Sequence, residues 1–268
     1  IALYDGHLFV ANSGGYSYAE DHDYEHTVSV VDAATMKVTR TVDVSAINLY
    51  GYMSISGQYL CINSPGDYYE EGPSTVIFDC RAAIDSKPDG QCSAKLSFPS
   101  TYNTVMPDGN FLTIGSTYSS LTADFSYSKS IINPAEVMRT GGSGGVSNTL
   151  PGSVAADIAG MQTPNSIYVN PYTGYIYATD ARDSTSAGRL YQWTPEGNLK
   201  GTYTTYINPG HILALPPDGH FGGIDGVAPD AGAEPYEDSI IYNLQGIPVV
   251  NTVPGQIYIR GGRKFIQR

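Results

Sequence analysis

The chain has 268 residues, with 14 Lys and Arg against 26 Asp and Glu, a net charge of −12 and a pI near 4.6. That balance offers no electrostatic footprint for a nucleic-acid backbone, and with no run of 18 apolar residues nothing is present to cross a membrane as a helix. Only 15% of residues are charged, Gly (30) and Pro (17) are abundant, and Tyr (22) outnumbers Phe (7) and Trp (1); this excludes long solvent-laced helices and favours strands whose aromatic surface keeps a hydroxyl.

Taken in chain order, the start Ile1-Ala2-Leu3-Tyr4 carries no Met, leader or lipidation motif and reads as the opening of a fragment. Strand-like runs then recur in fours. The second run of each set leaves on a polar or small residue: Leu8 to Asn12, Tyr59 to Asn63, Phe111 to Gly115 and Tyr175 to Thr179, with starts 51, 52 and 64 residues apart. Each is preceded by a short apolar run across an X-Gly pair (Asp5-Gly6, Ser56-Gly57, Asp108-Gly109, Thr173-Gly174), the strongest local signal for a hairpin. Third runs follow at Thr27 to Val31, Thr75 to Phe78, Ser130 to Ile132 and Arg189 to Trp193. Fourth runs follow at Val38 to Val44, Ala94 to Phe98, a weak Val137 to Met138, and Leu199 to Tyr203.

Four short antiparallel strands repeated at about 50 residues is the pattern of a β-propeller blade. The expected fold is all-β, with blades at 1–46, 47–99, 100–141 and 160–215. A Gly, Pro and Asp-rich linker at 216–239 and a C-terminal β segment at 240–268 complete the chain. Three Cys (Cys61, Cys80, Cys92) match no zinc spacing; Cys80 and Cys92 either close a small disulfide loop or stay as thiols, and Cys61 reads as a buried apolar residue.

In an up-and-down meander alternate connections emerge on opposite faces. The loops after the second strands, Asn12 to His26, Asn63 to Ser74, Gly115 to Ser128 and Asp180 to Gly188, therefore share one face. They hold seven Tyr among Asp, Asn, Ser and Gly, the composition of a surface that binds with little loss of entropy. The candidate ligand-binding residues on it are Asn12, Tyr16, Tyr18, Asn63, Asp67, Tyr68, Tyr69, Tyr118, Asp180 and Arg182, with His211 opening what reads as a closing strand at the axis. Asp180 and Arg182 suit a ligand or a structural turn equally. The Glu20 to His26 stretch, with four carboxylates and two imidazoles, reads as a solvated acidic loop or a divalent-metal site of no standard spacing. No nucleophile elbow, P-loop or dinucleotide fingerprint is present. A binding protein without a cofactor is expected rather than an enzyme, although carboxylates from different blades can meet at an axis and would then serve a hydrolase or lyase.

As a set, Ala2-Leu3-Tyr4-Asp5-Gly6-His7-Leu8-Phe9-Val10-Ala11-Asn12-Ser13-Gly14-Gly15-Tyr16, Thr27 to Asp32, Gly66-Asp67-Tyr68-Tyr69, Tyr177 to Ala181 and Ile207-Asn208-Pro209-Gly210-His211 resemble the YncE-like propeller family of Bacteroidetes surface proteins. That family includes surface lipoproteins that bind cobalamin beside TonB-dependent outer-membrane transporters. The resemblance implies a seven-bladed ring, of which these four blades would be the C-terminal part. The run Ile257-Tyr258-Ile259-Arg260-Gly261-Gly262-Arg263-Lys264 is similar to the tails of secreted Bacteroidetes proteins, which implies export. The functional expectation is a secreted or surface-exposed propeller that captures a ligand, a corrinoid first and a glycan or protein partner as the alternative.

Overall fold

The computed structural model describes residues 1–15, 22–67, 70–119, 124–214, 241–242, 248–249, 257–260 and 263–266. The chain divides into two compact units, Ile1–Ala214 and Leu215–Arg268.

In the first unit four antiparallel sheets follow one another, each with its strands in sequence order. The first holds β1 (Ala2–Tyr4), β2 (His7–Ala11), β3 (Thr27–Asp32) and β4 (Lys37–Asp43). The second holds β5 (Met53–Ser56), β6 (Tyr59–Ser64), β7 (Ser74–Asp79) and, after the short helices α1 (Cys80–Ile84) and α2 (Asp89–Cys92), β8 (Ser93–Leu96). The third holds β9 (Tyr102–Val105), β10 (Phe111–Ser119), β11 (Asp124–Ile132) and, after helix α3 (Pro134–Thr140), β12 (Val146–Ser147). Helix α4 (Val154–Ala159) leads to the fourth: β13 (Pro164–Val169), β14 (Ile176–Asp180), β15 (Ala187–Trp193) and β16 (Leu199–Ile207).

The first strands of successive sheets lie side by side, β1 by β5, β5 by β9 and β9 by β13, whereas β4 and β16 are mostly exposed. First strands inside and fourth strands outside is the arrangement of a β-propeller. The X-Gly pairs make the inner hairpins because they tolerate positive φ: Asp5 and Gly6 sit at 45° and 72°, Gly57 at 55°, Gly109 at 83° and Gly174 at 71°.

Each seam between sheets is an apolar core. Phe9, Val28, Val30 and Val42 meet Leu60, Ile62, Val76 and Phe78 between the first two sheets. Cys61, Ile77 and Leu96 meet Phe111 and Ile132 between the second and third. Leu112 and Ile114 meet Ile167, Val169, Ile176, Ala178 and Trp193 between the third and fourth.

Several expectations are corrected. Val137 and Met138 lie in α3, which Asn133 caps by accepting the Glu136 N–H at 3.0 Å and Pro134 opens, so the fourth strand of the third sheet is β12 instead. Most of the loop expected at 115–128 is strand, because β10 and β11 pair as far as Ser119 and Asp124. The repeat is also one residue out of register in the first and third sheets. Leu60 faces the first sheet and Cys61 the third; Phe9 faces forward as Cys61 does, and Phe111 faces back as Leu60 does. The true equivalents are therefore His7, Tyr59, Asn110 and Tyr175, since a one-residue slip exchanges the two sides of a strand. Cys61, Cys80 and Cys92 are all buried and unpaired; desolvation pushes the Cys61 thiol up to about 12 and that of Cys80 further upward, so both stay protonated and unreactive.

In the second unit β17 (Ile241–Tyr242), β18 (Pro248–Val249), β19 (Ile257–Arg260) and β20 (Arg263–Ile266) form a sheet in the order β18-β17-β19-β20, unlike the sequential meanders. Tyr258 is buried there.

Candidate functional site

In three of the four sheets a residue of the second strand ties down the connector entering its own sheet. Ser64 Oγ donates to the Ile47 carbonyl at 2.6 Å, and Asp180 accepts the Thr163 N–H at 2.8 Å. At Gly115 a Cβ would stand 2.0 Å from the Pro99 carbonyl, so only glycine allows the connector this close. The preceding position holds the connector that leaves: Asn63 Oδ1 accepts the Ser100 N–H at 3.2 Å and Thr179 Oγ1 donates to the Pro209 carbonyl at 2.7 Å. The loop face is thus a backbone frame fastened by buried side chains.

At the inner rim of this face a chain of polar contacts joins three sheets. Tyr52 lies 2.6 Å by its hydroxyl from His211 Nδ1 and donates to the Gly210 carbonyl at 3.0 Å. A phenol has one proton, so with it on Gly210 the donor between Tyr52 and His211 is the imidazole. Tyr52 meets Tyr102 edge-on at 5.3 Å between ring centroids. The Tyr102 hydroxyl donates to Asn165 Oδ1 at 2.8 Å, and Asn165 Nδ2 donates to Asn208 Oδ1 and the Pro209 carbonyl, both at 3.1 Å. Burial, and after it the neighbouring Tyr52 and Tyr127 phenols, pushes the ionisation of Tyr102 up from its ordinary value, which keeps that donor protonated.

Beside this chain, at the loop-face end of the seam between the third and fourth sheets, lies a cleft of about 580 Å³. Tyr102, Phe125, Tyr127 and Met161 give it an apolar wall, and Gln162, Asn165, Arg182 and Asp183 its polar rim. The rings of Phe125 and Tyr127 lie nearly parallel, 6.5 Å apart. A few hundred Å³ with aromatic walls and a few convergent polar groups is the usual shape of a small-molecule site.

Of the residues expected at the site, Arg182 lines this cleft and His211 adjoins it through Tyr52. Asp180 is 4% exposed, and its carboxylate accepts the N–H groups of Thr163 and Arg182, both at 2.8 Å, so it shapes the turn behind the cleft. His211 is exposed and lies in irregular chain rather than opening a strand. Asn63 is buried, with its amide also donating to the Tyr50 carbonyl at 3.1 Å. Asp67 accepts the N–H groups of Glu70 and Glu71 at 2.9 and 2.8 Å. Asn12 donates to the hydroxyls of Thr27 and Ser29 and lines a separate open depression on the first sheet. Tyr118 pairs with Phe125 in the β10–β11 ribbon. Tyr16, Tyr18, Tyr68 and Tyr69 lie outside the described residues. Among the described residues no three His, Cys, Asp or Glu group as metal ligands, and no helix is long and apolar enough to cross a membrane.

Tyr52, Tyr102 and Asn165 escape a reading of the loops after second strands because they stand at the starts of first strands. The signal available for them is topological, since in a meander those starts share the loop face.

No protein-family model matches the chain, and no curated protein does. Solved structures resemble its backbone. They include the hydrazine synthase of Kuenenia stuttgartiensis (14% identity, 68% of this chain and 44% of that one, TM-score 0.44). The dihydro-heme d1 dehydrogenase NirN in complex with DHE is another (13%, 80% and 38%, TM-score 0.45). A third is the β-propeller domain of Cps50 (Swd1) from Myceliophteria thermophila (15%, 68% and 50%, TM-score 0.39). The chain spans half or less of the length of each of these, and the likeness is one of strand arrangement alone.

Proposed function

We propose that this protein is a ligand-binding propeller that acts without chemistry of its own, and that its loop face captures a ligand with a flat, partly apolar body and a rim of hydrogen-bonding groups. The observation that carries this reading is the cleft between the third and fourth sheets, lined by Tyr102, Phe125, Tyr127 and Met161 together with amides and a guanidinium. Aromatic faces cover a flat body, while phenol and amide groups pair with its rim.

The resemblance to YncE-like surface propellers makes a corrinoid the first candidate. It also supports a secreted or surface-exposed location and delivery to a TonB-dependent transporter. A glycan suits the same wall and rim, because sugar rings stack on aromatic faces and present hydroxyls to amides. Isothermal titration with cyanocobalamin, together with its absorbance spectrum, tests the corrinoid. Binding that weakens about tenfold or more in Tyr102→Ala supports both ligand and site. Absence of heat and of any spectral change in the folded protein discards the corrinoid and leaves the glycan.

A further inference from the structure

We propose that the cleft between the third and fourth sheets selects a ligand that carries an anionic group, a phosphodiester or a carboxylate, and that Arg182 reads that charge. This inference rests on the cleft being a ligand site and adds the chemical class of what enters it.

The protein as a whole repels anions, with a net charge of −12, so an anionic ligand needs a local cation. Arg182 is the cleft's one cationic lining residue. Elsewhere in the first unit arginines are paired off: Arg40 with Asp89, Arg81 with Asp5 and Arg139 with Glu136. Arg189 is exposed on β15 and is not part of this cleft's lining. Arg182 is half-buried, enters no ion pair among the described residues, and makes a single long side-chain hydrogen bond, Nη1 to the Ala187 carbonyl at 3.3 Å. A guanidinium has five N–H donors, so most of this one is left for a ligand.

Neither neighbouring carboxylate forms an ion pair with it, although Asp183 keeps its own charge at the same rim. Asp180 is turned inward on the N–H groups of Thr163 and Arg182. Asp183 accepts the N–H groups of Ser186 and Thr185 at 2.6 and 3.0 Å and the Ser186 hydroxyl at 2.8 Å. These bonds hold the Asp183 carboxyl well below the usual carboxylate range and fix it to its own turn. Arg182 also stands at φ 55°, a left-handed backbone that an arginine does not favour, maintained by its N–H bond to Asp180. An unpaired, half-buried guanidinium beside an aromatic wall suits a planar or tetrahedral oxyanion attached to a ring.

Two pairs of probes test this and separate the two sources of charge. Cyanocobalamin carries a phosphodiester that dicyanocobinamide lacks, and trigalacturonate carries carboxylates that its methyl ester lacks. Titrating all four into the full chain is expected to show, in one pair, the member that carries the anionic group binding tenfold or more tighter than the member without it, with a preference that shrinks as salt rises. Arg182→Asn, which suits the left-handed backbone, should bring that pair to parity, costing the member with the anionic group about tenfold or more and the neutral member much less. Arg182→Lys should restore part of the preference. Equal binding of charged and neutral partners by the unaltered protein would overturn the inference and leave the ligand-binding reading standing. So would equal loss of both partners in Arg182→Asn. Failure of all four probes to bind overturns the inference and the reading beneath it together.

Discussion

The seam between the first and second sheets and the seam between the third and fourth are built from the same repeat, yet at the loop face one keeps a depression of about 350 Å³ lined by no charged side chain and the other a cleft of about 580 Å³ that holds Arg182 and Asp183. In the first, the connector into the second sheet buries Val44, Ala46 and Leu49, and Asn48 donates its amide to the Gly66 carbonyl at 2.8 Å. In the second, the longer connector through α4 buries Leu150, Val154 and Ile158, and its Met161 stands with Tyr102, Tyr127 and Arg182 around a cleft. The difference teaches where such a scaffold makes a site: strands set the core, and the path of a connector decides how wide an opening is left at the end of that core and which groups line it.

The largest effects should come from breaking the core of the first seam. Phe78 is fully buried and meets Phe9 edge-on at 5.9 Å, so Phe78→Ala should cost about 3 to 5 kcal/mol. Urea unfolding followed both by circular dichroism and by the emission of the single Trp, Trp193 in the other seam, should shift by the same amount. Two separate transitions would show that the seams are independent cores.

A smaller change should act on the seam with the wider cleft alone. Asp180→Asn removes the charge from hydrogen bonds that hold the connector and should cost about 1.5 to 3 kcal/mol. The amides of Thr163 and Arg182 should then exchange faster, while those of Val28 and Val76 keep their rates relative to global stability.

The smallest is Tyr102→Phe, which leaves Asn165 Oδ1 without its donor at a cost of about 1 kcal/mol. Because the folded protein raises the ionisation of Tyr102 and Tyr52, chiefly by burial, the unfolded chain loses those protons first. Their contribution is full below the ordinary value of 10.0 and falls as pH rises through and beyond it. Tyr102→Phe should therefore flatten the alkaline loss of stability measured by denaturation between pH 8 and 11.

Much of the frame was legible in the sequence because Gly-containing turns and alternating apolar runs act locally. The Asp5-Gly6 and Asp108-Gly109 hairpins need no distant partner to form. The register of the first and third sheets was not legible, since Leu8 or His7, and Phe111 or Asn110, begin equally plausible runs and only packing against a neighbouring sheet decides. Helices α1 and α2 are single turns, too short to carry a period; what holds them is Arg40 from the first sheet, bonded to the Ala83 and Lys87 carbonyls and to Asp89. At the candidate cleft, Arg182 was reached through the loop face, and His211 only through a closing strand that the chain does not form. Tyr52, Tyr102 and Asn165 were not, because their role comes from three first strands starting side by side.

The ties made from the second strands reach main-chain atoms: Ser64 to a carbonyl, Asp180 to an N–H, and Gly115, within β10, by making room for a carbonyl. A clasp that grips only backbone is indifferent to the side chains of what it grips. Connectors can therefore drift in sequence and take up insertions such as α4 while the strands beneath stay in register. This lets a propeller acquire new specificities on one face without being refolded.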